Sequence, residues 1–174
     1  MYQKYKTNIN KQQFYIFISL IALLSVALLI WVLIPFGYGI NEEFVKKIES
    51  KNNEEEISKL VSQLAMKTII SYIANSFVIV FFLVYILLLK NKIKAGYLFF
   101  IIWILVFITF VGMPFYGGSA QTSQYTKFQF WVGIFASFLS GVMAMTLFVF
   151  MLKYHIDRKF HYYEWYKIHK GRSR

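Results

Sequence analysis

Four long stretches of this chain contain no charged side chain, and this feature limits the folds open to it. The stretches cover residues 12–41, 68–89, 95–126 and 128–152. A helix rises about 1.5 Å per residue, so about 20 residues cross the ~30 Å hydrocarbon core of a bilayer. Such a segment must be helical, because an open strand in lipid would leave its backbone amides unpaired. The pattern therefore predicts an all-α integral membrane protein with four transmembrane helices.

Composition supports the same fold class. Of the 174 residues, 58% are hydrophobic and only 16% are charged, which is more apolar material than a soluble domain of this size can bury. The chain has no cysteine. Disulfide frameworks, thiol catalysis, iron–sulfur clusters and cysteine-based zinc sites are therefore excluded.

The windows and their flanks predict a topology of nine segments. These are a basic tail at 1–13, a first span at 14–34, an outer loop at 35–67, a second span at 68–89, a turn at 90–96, a third span at 97–115, an outer loop at 116–128, a fourth span at 129–152 and a basic-aromatic tail at 153–174. A cleaved signal peptide is the competing interpretation of the first span. Its apolar run is too long, however, and ends without a small-x-small cleavage site, so we expect it to be retained.

Basic residues are divided unequally between the two sides of this topology. Thirteen Lys and Arg lie in the two tails and the 90–96 turn, against six in the two outer loops. The positive-inside rule therefore predicts that both termini are cytoplasmic. The formal net charge of +11 is then mainly a topology signal, and we do not expect nucleic acid as a partner.

The outer ends of the first and third spans resemble each other. Each places a proline followed by phenylalanine at the predicted end of the helix, at Pro35 and at Pro114, where proline is expected to stop it. One account is the duplication of a helical hairpin, giving two tandem halves. The other is that helix ends at a membrane interface converge on such residues.

The first outer loop is predicted to form an extracytoplasmic amphipathic helical hairpin. Its apolar residues recur at helical spacing, and Asn53 with Glu56 is typical of a capping box. The expected turn is at 50–53, and the second helix should continue into the second span. The apolar face could cover the bundle, lie on lipid head groups or receive a partner; it comprises Phe44, Val45, Ile48, Ile57, Leu60, Val61 and Leu64.

No Asp, Glu, Lys, Arg or His falls within a predicted span, which argues against proton relays, ion carriers and aspartate-dependent membrane enzymes. The fourth span carries small residues every four positions, a pattern that lets helices approach closely. We expect this face to pack inside the bundle, against 74–76 of the second span, or to form an interface. The candidate packing residues are Gly133, Ser137 and Gly141, the parallel row Ala136, Ser140 and Ala144, and Asn75 of the second span, which is expected to join helices by hydrogen bonds.

The C-terminal tail interleaves cations with aromatic rings. Such a segment favours anionic lipid, with the helix bending along the membrane, or a protein partner. An RNA contact would use the same residues, but no RNA-binding fold accompanies them. His155, His161 and His169 lack ligand spacing, so we expect no metal and no cofactor. The candidate contact residues are Lys153, Arg158, Lys159, Trp165, Lys167 and Lys170.

These patterns are all interaction surfaces, and they carry no recognisable pair of catalytic groups. We therefore expect a non-catalytic membrane protein that acts through protein contacts, as an accessory subunit, assembly factor or protective factor. The alternative is an oligomeric pore or neutral-solute channel built around the fourth span. Lys outnumbers Arg 16 to 3, which is typical of a low-GC bacterium and its plasma membrane, although an organellar inner membrane fits the composition equally well.

Overall fold

A computed structural model describes residues 9–39, 41–50, 54–91, 94–115 and 124–170, without the side chains at 47, 48, 64 and 91. The chain is almost entirely helical over these residues. Its helices are α1 (Lys11–Tyr38), α2 (Glu42–Glu49), α3 (Glu54–Asn91), α4 (Tyr97–Gly112), a 3-10 turn (Met113–Phe115) and α5 (Lys127–Lys170).

Four of the helical segments are long and apolar enough to cross a membrane: α1, α3, α4 with its 3-10 turn, and α5. The prediction of an all-α chain with four candidate transmembrane helices is confirmed to that extent. The helices are longer than the predicted spans. In particular, α3 continues from the outer-loop region into the second span without a break, and α5 continues from the fourth span into the tail.

The bundle is built around α1 and α5. Helix α1 packs against both α3 and α5, while α4 packs against α5. The first two spans, α1 and α3, are therefore in contact, and so are the last two, α4 and α5. The beginning of α1 meets the end of α3, where Lys90 Nζ lies 4.2 Å from the centroid of the Phe14 ring. The end of the bundle at which α1 begins and the fourth predicted span ends is called the terminal end, and the opposite end the loop end.

Aromatic side chains fill the space between α3 and α4. The Phe82 ring is fully buried and makes edge contacts with Trp103 at 4.6 Å and Phe107 at 5.0 Å between centroids. Phe82 also contacts Phe17 of α1 at 5.8 Å, and Phe17 contacts Phe150 of α5 at 5.4 Å. Edge-to-face pairs are favourable beyond the area that they bury. This aromatic core therefore ties all four spans together.

Pro35 lies inside α1, which continues for three residues beyond it to Tyr38. The expectation that Pro35 ends the helix is therefore wrong. Proline lacks the amide that would bond the carbonyl four residues earlier, so the Trp31 carbonyl loses its helical partner. The Gln129 side-chain amide of α5 donates to this carbonyl, with Nε2 3.4 Å from the oxygen. A neighbouring helix thus satisfies the backbone group that proline frees, and α1 ends at Tyr38, before Gly39, whose φ is +74°.

This arrangement predicts coupling between Pro35 and Gln129. Gln129→Leu leaves the buried Trp31 carbonyl unpaired, which should cost about 1–3 kcal/mol of unfolding free energy. In a Pro35→Ala background residue 35 regains an amide N–H that can bond that carbonyl, so the same Gln129→Leu change should cost much less. Unfolding of the four proteins in detergent gives the coupling energy. An equal cost of Gln129→Leu in both backgrounds would contradict the account.

Candidate interaction surface on α5

The small residues of the fourth span divide between the bundle interior and its surface. Ala136, Ser140 and Ala144 are buried, as are Gly133 and Ser137, whereas Gly141 is half-buried. The main neighbours of α5 are α4 and α1. The structure therefore places these residues against those two helices as the principal packing partners, and not against residues 74–76 of α3.

Gly133 is held in the tightest of these contacts. A Cβ atom added there would lie 2.9 Å from Pro114 Cβ and 3.2 Å from Trp31 Nε1. The Trp31 indole is buried, and its N–H has no hydrogen-bond partner within the part of the chain that the structure describes. Its contact with Gly133 is therefore one of close packing, and the absence of a side chain at 133 allows α1 and the 3-10 turn to approach α5.

The hydroxyl groups along α5 bond to their own helix. Ser137 Oγ donates to the Gly133 carbonyl at 3.0 Å, and Ser140 Oγ donates to the Ala136 carbonyl at 3.0 Å. Thr146 Oγ1 donates to the Val142 carbonyl at 2.8 Å. Hydroxyls in this back-bonded arrangement keep their protons within the helix. They contribute little polarity to the surface around them.

An open apolar groove of about 810 Å³ follows the outward side of α5. Gly141 and Ser137 contribute to its floor, and Phe138 and Met145 of the same helix border it. Val111 of α4 lines it, and Val111 Cγ2 would lie 3.9 Å from a Cβ added to Gly141. The groove therefore has the concave apolar form that a helix or an acyl chain can enter.

The outward side of α5 follows a seven-residue repeat that continues beyond the fourth span. Spacings of three and four residues alternate along it, as in a helix that packs on another helix. All its members are exposed except Val142, which is half-buried. We call this surface the α5 stripe; its members are Phe128, Trp131, Phe135, Phe138, Val142, Met145, Val149, Leu152, Ile156, Lys159, Tyr163 and Tyr166.

Asn75 joins two helices at the loop end. Its side-chain amide contacts Met113 Sδ in the 3-10 turn after α4 and donates to Ser71 Oγ within α3 at 3.4 Å. The residue is half-buried. A polar contact of this kind between membrane helices is worth about 1 kcal/mol, and the geometry fits the interpretation of Asn75 as a helix-joining residue.

The apolar face of the outer loop is only partly covered. Helix α2 packs on the beginning of α3, and Phe44 and Ile57 are half-buried while Leu60 and Val61 are exposed. The side chains of Ile48 and Leu64 lie outside the described part of the chain, as does the predicted cap at Asn53. The backbone N–H of Asn41 donates to the backbone carbonyl of Gln124 at 3.2 Å, which joins the two loops of this end.

The candidate tail residues have different surroundings. Arg158 is half-buried, with its guanidinium 5.2 Å from the Tyr97 ring centroid. Trp165 is stacked on His169 at 4.7 Å. Lys170 Nζ lies 5.4 Å from the Tyr166 ring centroid, and all four candidate lysines are exposed: Lys153, Lys159, Lys167 and Lys170. The predicted bend has no counterpart as a separate element, since the tail belongs to α5.

Two features of this structure were not predicted from the sequence. The α5 stripe is invisible within the span, because every face of a transmembrane helix is apolar. Beyond Leu152 it could have been found, since Ile156, Tyr163 and Tyr166 continue the same repeat among charged residues. The hydrogen bond from the Gln129 side chain to the Trp31 carbonyl could not be predicted, because nothing in the sequence links these two residues.

Comparison with protein-family models, with curated proteins and with solved structures finds no match to this chain.

The two glycines provide a matched pair that separates folding from surface chemistry. Gly133→Ala forces a Cβ against Pro114 and Trp31, and overpacking of this kind should cost about 1–3 kcal/mol of stability. Gly141→Ala meets only an ordinary contact with Val111, so its unfolding free energy should stay within about 0.5 kcal/mol of the parent. Thermal or denaturant unfolding in detergent measures both. Equal destabilisation by the two substitutions would contradict the packing described here.

Proposed function

We propose that this protein is a non-catalytic membrane subunit that binds another membrane protein through α5, as an accessory subunit, assembly factor or protective factor. The α5 stripe is the observation that carries the proposal. It is apolar except at Lys159, exposed except at the half-buried Val142, and continuous from the loop end of the fourth span into the C-terminal tail.

The length of the stripe favours a protein partner over lipid. Tyr163 lies 11 residues beyond Leu152 on the same helix, which corresponds to about 16 Å along its axis. The polar head-group layer on each side of the ~30 Å hydrocarbon core is only about 6 Å deep. A helix that leaves the membrane along its own axis therefore carries Tyr163 and Tyr166 beyond lipid, where a partner helix can cover them.

Charge in the tail favours a different protein over a second copy. In a parallel pair of identical α5 helices, Lys159 would face its own counterpart, and Lys153 and Lys167 would flank the same seam. Like charges in these positions oppose pairing. The described tail carries only Asp157 and Glu164 as acids. We propose a partner helix whose segment next to the membrane is acidic.

The proposed orientation places both termini in the cytoplasm of a cell with a plasma membrane rich in anionic lipid. It rests on the excess of Lys and Arg at the terminal end. The protein contains no native cysteine, so single cysteines report topology cleanly. With intact cells, an impermeant thiol reagent should label Lys59→Cys and leave Lys170→Cys unlabelled; the reverse pattern would overturn the orientation.

An oligomeric pore around the fourth span is the second candidate. The open apolar groove along α5 favours a pore, because it could line a passage between copies of the chain. Two observations weigh against it. The aromatic core fills the described interior of a single bundle with Phe17, Phe82 and Phe107, and the hydroxyls of Ser137 and Thr146 are committed to their own helix.

Site-specific photo-crosslinking in the native membrane tests the proposal. A photoreactive phenylalanine at 138 or at 163 should form an adduct with one other protein, because both positions belong to the α5 stripe. The matched control is position 81 of α3, since Phe81 is 68% exposed and Phe138 is 64% exposed. Position 81 should label lipid only.

Lys159→Glu adds a second test to the same experiment, because it reverses the charge of the lysine in the tail portion of the α5 stripe. The adduct at 163 should fall by about tenfold or more if the partner is acidic. Lipid-only labelling at 138 and 163, equal to that at 81, would contradict a protein partner. Adducts between copies of this chain would instead support the oligomeric pore.

A further inference from the structure

A small polar cavity lies at the terminal end of the bundle, away from the aromatic core. It measures about 180 Å³, which is room for about six water molecules at about 30 Å³ each. The start of α1, the segment before α4 and the part of α5 just beyond the fourth span enclose it. Its polar lining consists of Asn10, Gln13, Lys153, Tyr154 and Asp157.

The walls of the cavity are fixed by aromatic packing. Tyr154 is 4% exposed, and its ring contacts Tyr97 at 4.9 Å and Phe100 at 5.9 Å between centroids. Phe100 and Phe17 are also buried and close the side that faces the bundle interior. The cavity is therefore a recess with an apolar base and a charged rim.

One lysine ammonium group and one aspartate carboxylate border this recess. Lys153 and Asp157 are separated by four residues on α5, and within the described part of the chain no ion pair joins them. The amide side chains of Asn10 and Gln13 face the same space. The first turn of α1 begins here as well, where the Gln13 side-chain oxygen accepts a hydrogen bond from the Asn10 backbone N–H at 3.0 Å, as in a capping box. The recess therefore offers separate positions for one positive and one negative group.

The level of the cavity in the bundle identifies what can reach it. Lys153 directly follows the fourth span, Gln13 directly precedes the first, and Ala95 precedes the third. This is the depth at which phospholipid head groups lie, with acyl chains beside the apolar faces of the spans. A lipid can enter such a recess by its head group while its chains stay in the bilayer.

We propose that this recess binds the head group of a phosphatidylethanolamine lipid. Lys153 holds the phosphate, and Asp157 accepts hydrogen bonds from the primary ammonium group. The side-chain NH2 groups of Gln13 and Asn10 supply additional hydrogen-bond donors. The ligand is thus a zwitterion whose two charges match the two charged residues of the rim.

Related head groups fit this rim less well. Phosphatidylcholine has a quaternary ammonium that cannot donate a hydrogen bond to Asp157 and is larger. Phosphatidylglycerol has the phosphate but no cation, so the Asp157 carboxylate would remain unpaired beside it. Hydrogen bonds between charged groups are the stronger kind. Selectivity for phosphatidylethanolamine should therefore depend on Asp157, and phosphate binding should depend on Lys153.

Native mass spectrometry of the full-length protein tests this assignment. The detergent-solubilised protein is titrated with phosphatidylethanolamine, phosphatidylcholine and phosphatidylglycerol that carry the same acyl chains. One phosphatidylethanolamine should bind about tenfold more tightly than either other lipid. Asp157→Asn should abolish the preference over phosphatidylcholine, whereas Lys153→Gln should weaken binding of all three lipids.

Matched charge changes on the same helix serve as controls. Glu164→Gln and Lys127→Gln alter exposed residues of α5 away from the recess and should leave the preference unchanged. Equal binding of the three lipids by the parent protein would overturn the proposal, as would equal effects of Asp157→Asn and Glu164→Gln. A separate titration uses soluble phosphoethanolamine, the head group without acyl chains. If it binds as tightly as phosphatidylethanolamine, the natural ligand need not be a lipid and the proposal of a lipid site is overturned.

Discussion

The bilayer imposes one constraint on which the rest of this structure depends: inside it, neither hydrogen bonds from water nor the hydrophobic effect is available to hold helices together. Backbone groups must find partners within the protein, and helices must associate by close packing and a few polar contacts. The Trp31 carbonyl, freed by Pro35 and bonded by Gln129, meets the first demand. Gly133 and the aromatic core around Phe82 meet the second.

Close packing of small residues and packing of aromatic rings occur in different parts of the bundle. Where residues are small, as at Gly133, backbones approach closely and α5 contacts α1 and the turn after α4. Where α3 meets α4, the contact is made by large rings, including the stacked pair of Tyr85 and Phe99 at 5.4 Å. Rings can span a wider gap between helices than small residues can. The result is an aromatic core and, along the four candidate spans, an outer surface rich in exposed apolar side chains.

The sequence predicted the helical class and the four candidate membrane helices, because loss of charge over about 20 residues is a strong signal. It did not predict which faces pack. Phe81 and Phe82 are adjacent and chemically identical, yet one is 68% exposed and the other 0%. In a soluble helix the exposed position would usually carry a polar residue, so the sequence would show which position is buried. In lipid both environments are apolar, and the two positions carry the same residue. The wrong prediction at Pro35 has a related cause, since its acceptance inside α1 depends on Gln129, which is 94 residues distant in sequence.

Partner binding through α5 is the central claim, because the exposed α5 stripe continues along the helix beyond the fourth predicted span, among the cations of the tail. The most direct test is the native mass and composition of the protein extracted gently from its own membrane. A complex with one foreign subunit at fixed stoichiometry is the predicted result. A homogeneous assembly of this chain alone, or a monomer carrying only lipid, would contradict the claim.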